Sequence, residues 1–266
     1  TIHLLINDGS GSFAPPTTIA TEIDTAVVIT SADIDKDGKL DLIGISDFDQ
    51  EVFWLRQTNN NTFAPKQILL DLPATPTKFE TRDLNVDTHP DLIILQAGHL
   101  SIFTNDGNGN FTITGQLGSA VTSFKIIDLN GGAPDIITAS SILNISQAHL
   151  NDNAASFSPP QLLSANTLNS EIIAASDLDL DSHIDLLFIS FSNSSLHWMR
   201  GNGTSSFISK FPTLELQPGP YTSFIVDLDN DSDPELIYSS LHGHDLSISK
   251  GLAAEPYLFW SQTKTA

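Results

Sequence analysis

The chain has no cysteine among its 266 residues, which excludes a disulfide framework and thiol catalysis and leaves the redox compartment open. Basic residues are scarce, with 11 Lys and Arg against 32 Asp and Glu, for a formal net charge of -21. Nucleic acid and anionic lipid both need cationic side chains to neutralise phosphate, so neither is expected as a partner. No apolar run reaches the roughly eighteen residues of a membrane span, so membrane insertion is not expected. The opening TIHLLINDG lacks the basic start and small-residue cleavage pattern of a signal peptide. A start at Thr1 rather than Met points to removal of a leader or a longer N-terminal region. No segment sustains a 3.6-residue apolar period, which leaves helices without a signal. A G-x-S-x-G elbow, a P-loop and zinc-spaced histidines are also missing. With Arg56, Arg82 and Arg200 the only arginines and Tyr221, Tyr238 and Tyr257 the only tyrosines, there is little material for a lyase site. The expectation is a protein that is not an enzyme.

What is present is repetition. An acidic loop recurs as DIDKDGKLD (33–41), DLNVDTHPD (83–91), DLNGGAPD (128–135), DLDLDSHID (177–185) and DLDNDSDPE (227–235), with starts 50, 45, 49 and 50 residues apart. It alternates with a turn ending in Phe: NDGSGSF (7–13), NNNTF (59–63), NDGNGNF (105–111), NDNAASF (151–157) and GNGTSSF (201–207). Asn, Asp and Gly tolerate the positive φ of tight hairpins, and the Phe is expected to plug the core. Between them lie short runs of β-formers such as TAVVIT, LDLIGIS and EVFWLR. The unit reads strand, acidic loop, strand, link, strand, turn, strand, and a four-stranded unit of this period is a β-propeller blade.

The expected architecture is therefore all-β: one propeller domain over 1–266 with calcium loops between strands one and two of each blade. An N-terminal half-blade covers 1–20, and repeats cover about 21–70, 71–118, 119–163, 164–215 and 216–266. The N-terminal hairpin and LSISKGLAAEPYLFWSQ (246–262) both read as strands three and four, so two hairpins compete for one slot. Three arrangements follow: a ring of six or seven blades lacking its first one and a half here, a five-bladed ring with a surplus C-terminal hairpin, or a surplus hairpin that pairs with a neighbouring molecule.

In DIDKDGKLD, carboxylates stand at loop positions one, three, five and nine, the array a hard divalent cation with six to eight oxygen ligands wants. Position seven varies among Lys39, His89, His183 and Asp233, which suits a backbone carbonyl ligand. An EF-hand has its bidentate Glu at position twelve between helices, so that reading fails. Four loops are read as Ca2+ sites: Asp33, Asp35, Asp37, Lys39, Asp41; Asp83, Asn85, Asp87, His89, Asp91; Asp177, Asp179, Asp181, His183, Asp185; and Asp227, Asp229, Asp231, Asp233, Glu235. The shorter third loop, with Asp128, Asn130 and Asp135 and glycines where the third carboxylate belongs, is a weaker metal candidate. The five loops hold 18 of the 32 acids, so four bound Ca2+ would bring the charge from -21 to about -13. Solvated turns rich in Asp are the competing explanation. A cation that ties strand one to strand two in every blade is structural rather than part of one substrate site.

The acidic loop with its following apolar strand, NDGxGxF, and the F-A-P runs at 13–15 and 63–65 resemble the FG-GAP/VCBS repeats of integrin-α-like propellers. That resemblance implies calcium in the loop between strands one and two, an extracellular (secreted or cell-surface) setting, and ligand binding on the opposite face. Family members include lectins, adhesins and domains within polysaccharide lyases. The function expected is a non-catalytic binding or adhesion module whose partner is a glycan or an extracellular protein. Alternatives are a structural subunit self-assembling through its terminal strands, and a carbohydrate-active enzyme domain.

Two further features are candidates for ligand contact. Trp54 with Arg56, and Trp198 with Arg200, fall at the same point of two blades and could stack on sugars, or the indoles could pack between blades. His242 and His244 could be metal ligands or a base, though a lone pair in a glycine-containing loop is more often plain surface. Sequons at Asn60, Asn110, Asn144, Asn193 and Asn202 are candidate glycosylation sites, whereas that at Asn230 lies inside an acidic loop.

Overall fold

The computed structural model describes the whole chain except residues 24–25, 165–169, 217–219, 232–233, 241–244, 251–260 and 265–266. Among the described residues every regular element is a strand. The architecture is a β-propeller type built of five four-stranded antiparallel sheets, each with its strands side by side in chain order. Blade one is Ala26–Ala32, Asp41–Ser46, Glu51–Leu55 and Gln67–Asp71; blade two is Pro76–Arg82, Asp91–Gln96, His99–Asn105 and Phe111–Leu117. Blade three is Ser123–Ile127, Asp135–Ser140, Ile145–His149 and Gln161–Ser164. Blade four is Ser170–Ser176, Asp185–Ser190, Ser195–Gly201 and Phe207–Glu215; blade five is Pro220–Val226, Glu235–Ser240, Asp245–Lys250 and Ser261–Lys264.

The pattern of each strand follows its place. Second strands are covered on both faces, so Asp91–Gln96 and Asp185–Ser190 are buried throughout and read as continuous apolar runs. Fourth strands form one edge of each sheet and leave Ile68, Ile113, Leu162 and Ile208 exposed. Every acidic loop joins strands one and two of its blade, as the repeat predicts.

Two compact units divide the chain. One comprises Thr1–Leu117 with Asn153–Ser156 and centres on Ile43, Val52, Trp54, Phe79, Leu92 and Ile94. Within it, two turns reach the acidic loop of the preceding blade. Asn105 Nδ2 donates to the Ile34 carbonyl at 2.9 Å, and the Ala155 N–H donates to the Leu84 carbonyl at 3.2 Å. The other comprises Gly118–Asp152 with Phe157–Ala266, and its cores gather Leu187, Ile189, Trp198 and Tyr238, and Ile137, Ile172, Leu186 and Phe188.

One open alternative narrows and one expectation changes. The fourth strand of blade five is Ser261–Lys264, whereas Ile2–Leu4 and Thr17–Ala20 pair with each other as a separate two-stranded sheet. The C-terminal strand therefore takes the contested slot, and residues 251–260 of its hairpin lie outside the described residues. Turn phenylalanines Phe63, Phe111 and Phe207 do pack against core clusters, but Phe13 is 61% exposed because its hairpin has only two strands.

Candidate functional site

Each loop begins by folding on its own first carboxylate. Asp33 accepts the N–H groups of Asp37 at 3.1 Å and Gly38 at 3.0 Å; Asp83 accepts those of Asp87 and Thr88, and Asp177 those of Asp181 and Ser182. The chain bends left-handed at positions four and six, with positive φ at Lys36 and Gly38, Val86 and Thr88, and Leu180 and Ser182. Glycine would relax such a bend, yet five of these six residues are neither Gly nor Asn, so the side-chain bonds hold a conformation the backbone disfavours.

The closing carboxylate, at position nine or, in the shorter third loop, position eight, has a different task. Asp41, Asp91, Asp135 and Asp185 are fully buried, and each spans two backbone donors. One oxygen accepts from loop position two: Ile34 at 3.2 Å, Leu84 at 2.9 Å, Leu129 at 2.9 Å and Leu178 at 3.1 Å. The other accepts from the end of strand three, Asn105 at 2.9 Å and Gly201 at 2.8 Å, or from two residues past it, Gln57 at 2.7 Å and Asn151 at 2.7 Å. It is a pin joining loop, second strand and third strand, a role the sequence reading missed by treating it as a ligand alone. Burial pushes the carboxyls of Asp91 and Asp185 up to about 6 despite these bonds, and raises Asp41 and Asp135 as well. A bound cation would draw them back down.

Three loops gather carboxylate oxygens within 4.8 Å of one another: Asp33, Asp35 and Asp37; Asp177, Asp179 and Asp185; and Asp227, Asp229 and Glu235. Oxygens sharing one Ca2+ at about 2.3–2.6 Å stand at such separations. Asp35 Oδ1 is buried without a hydrogen-bond partner, a position a cation would satisfy. These residues fit a hard divalent ion. The Asp83 and Asp128 loops form no such group among the described residues. In the first, Asn85 replaces an acid and donates to Asp87 Oδ2 at 2.8 Å. In the second, Asp128 Oδ1 gathers the N–H groups of Asn130, Gly131 and Gly132. Asp233 lies outside the described residues, as do His242 and His244.

Position seven joins the two repeated motifs. The His89 ring lies over Gly107 and the His183 ring over Gly203, each a turn glycine of the same blade with no Cβ to obstruct it. Each ring also touches its own position-five carboxylate, with Nδ1 at 3.2 Å from Asp87 or Asp181. In blade one, Lys39 Nζ takes that place at 2.7 Å from Asp37 and holds its carboxyl below the usual range.

The Trp and Arg pairs separate. Trp54 and Trp198 sit in the core, and Trp54 packs against Gly109 of blade two, so the indoles offer little surface to a sugar. Arg56 and Arg200 turn onto the acidic loops instead. Of the sequons, Asn60, Asn110, Asn193 and Asn202 are exposed and Asn144 is half-buried.

The repeats match the FG-GAP-like repeat family over residues 1–44, 33–94 and 177–238, together more than half of the chain. The chain belongs to the FG-GAP-like repeat family. Solved structures share the fold of this FG-GAP-like chain at low identity. An Agrocybe aegerita lectin, solved for its recognition of non-reducing terminal N-acetylglucosamine, is 18% identical with a TM-score of 0.72, over 98% of this chain and 73% of the lectin. A Lactobacillus plantarum protein is 11% identical with a TM-score of 0.62, over 97% of this chain and 76% of its own. A chain of the BBS1N complex with ARL6DN is 13% identical with a TM-score of 0.59, over 91% and 67%. No curated protein matches the sequence significantly.

Proposed function

We propose that this FG-GAP-like repeat chain is an extracellular, calcium-stabilised propeller that binds glycan or protein without catalysis. The observation that carries the reading is the convergence of three carboxylates in each of three loops, all at the same point of a blade. Asp33, Asp35 and Asp37, Asp177, Asp179 and Asp185, and Asp227, Asp229 and Glu235 would hold the ions. The bound ions cross-link strands one and two and offset part of the -21 charge. Exposed sequons, above all Asn60 and Asn202 in the turns between strands three and four, suit a secreted or cell-surface protein.

The likeness in fold to a lectin over 98% of this chain makes a terminal N-acetylglucosamine glycan the first ligand to try. A protein ligand is the second reading, supported by a similar chain that was crystallised in a complex with ARL6DN. Thermal unfolding in EDTA, then with calcium or magnesium restored, tests the metal. At a hundredfold excess over Kd each site contributes about 2.7 kcal/mol, so the melting temperature should fall in chelator and recover with calcium far better than with magnesium. An unchanged melt sinks the calcium reading. A glycan array in calcium tests the ligand, and an array with no signal leaves the protein reading in its place.

A further inference from the structure

Strand three ends beside the acidic loop, and its register identifies equivalent residues. Leu42 pairs with Leu55, Leu92 with Phe103, Ile136 with His149, Leu186 with Met199 and Leu236 with Ser249. The next residue in each blade is Arg56, Thr104, Leu150, Arg200 and Lys250. A cation thus stands in the three blades whose loops have Asp at position three, namely Asp35, Asp179 and Asp229. A neutral residue stands in the two blades with Asn there, Asn85 and Asn130.

Contacts explain the pairing. Arg200 Nε and Nη2 lie 2.6 Å from Asp179 Oδ2 and 2.6 Å from Asp181 Oδ2, a fork across positions three and five. Arg56 makes the same fork, Nε to Asp35 Oδ2 and Nη2 to Asp37 Oδ2 at 3.2 Å. In blade two the donor to the position-five oxygen Asp87 Oδ2 is the Asn85 amide, 2.8 Å away. An asparagine within the loop does from position three what the arginine does from strand three. Charge agrees: four carboxylates with one guanidinium, as in blade four, leave the same -3 as the three carboxylates of blade two. In blade one the fork takes Asp35 Oδ2 and leaves Asp35 Oδ1 buried and without a hydrogen-bond partner, as outer-shell partners of metal-binding carboxylates do.

We propose that Arg56 and Arg200 are positioning residues that clamp and charge-balance the position-three and position-five carboxylates, and that Asn at position three is the interchangeable solution. They are misread as sugar contacts because a Trp stands two residues earlier in each blade. The calcium arm of the test below rests on the proposed metal reading, while the chelator arm does not.

The test is a double-mutant cycle on the whole chain, with Asp35→Asn, Arg56→Thr and both together, melted in EDTA. Arg56→Thr should lower the melting temperature by about 2–4 °C when Asp35 is present and by less than about 1 °C in the Asp35→Asn background. Asp179→Asn with Arg200→Thr should repeat the result in blade four. Equal losses in both backgrounds would overturn the proposal, as would no loss from either arginine. In saturating calcium the Arg56→Thr loss should shrink, because the ion supplies the missing charge. If the wild-type melt ignores calcium, the metal reading fails alone and the chelator cycle still decides the clamp.

Discussion

Replacing Asp135 with Ala isolates the closing-carboxylate pin from any cation. Asp135 is fully buried, and its loop has no three-carboxylate group among the described residues. Its two oxygens accept the Leu129 N–H at 2.9 Å and the Asn151 N–H at 2.7 Å, both bonds buried. Alanine orphans both donors, at about 1–3 kcal/mol each. Part is returned, because burial raises the Asp135 carboxyl and removing a desolvated charge is favourable. The net loss expected is about 2–4 kcal/mol, or roughly 4–16 °C in melting temperature for a chain of this size. Urea denaturation at pH 7.5, in EDTA and again in calcium, measures it. The loss should be the same in both buffers. Asp185→Ala, which removes a pin and a member of a carboxylate group together, should cost more in calcium than in chelator. A loss at Asp135 below about 1 kcal/mol, or one that depends on calcium, refutes the division of labour between pin and cation.

Acid should also destabilise the fold through its buried histidines. His149 is 1% exposed with Nε2 3.1 Å from Thr138 Oγ1, and burial lowers its pKa and that of half-buried His197. Their stabilising contribution is complete above the unfolded value near 6.5 and is lost as pH falls below it. Unfolding free energies at pH 7.5, 6.5 and 5.5 should therefore converge between wild type and His149→Gln on the acid side; a constant difference excludes His149. Trp54→Ala, which empties a core site against Gly109, should cost about 3–5 kcal/mol in urea unfolding without changing glycan affinity per folded molecule. A selective loss of affinity would restore the indole as a ligand contact. Produced in a host that N-glycosylates, the protein should carry glycan at exposed Asn60 and Asn202 and none at Asn230, as read by peptide mass; glycan at Asn230 contradicts an ordered acidic loop there.

Blade order was legible because each punctuation mark has a local physical cause: turns at NDGxGxF need positive φ, and DxDxDG-type loops need a bend. The second strands could be read from apolar runs alone, since both of their faces are covered. Side-chain destinations were less legible. Trp54 and Arg56 stand two residues apart at the end of strand three and share a face by alternation, yet the indole enters the core while the longer guanidinium reaches the loop. Nothing in their spacing distinguishes a partner in the blade from a partner in solution. The pin was hidden for the same reason: Asp41 and Asp35 are identical letters in one motif, and only the pairing of strands two and three shows that the Gln57 N–H comes within reach of Asp41. Asn85 was legible as a departure from the pattern but not as the counterpart of an arginine that other blades carry on strand three.

The bonds from Asn105 to the Ile34 carbonyl and from Ala155 to the Leu84 carbonyl have a consequence for how such a chain can grow. Each joins a turn to the loop of the blade before it, so donor and acceptor are one repeat apart rather than within one repeat. Duplication or loss of a whole repeat leaves every donor facing an acceptor of the same kind, wherever in the repeat the gene is cut. Length changes elsewhere in the repeat leave these bonds intact, since the loop spacings already vary from 45 to 50 residues, whereas one inside the turn or the loop would displace a partner. The matching condition therefore constrains the turn and the loop that meet rather than the number of residues between them, and a whole blade can be gained or lost without breaking it.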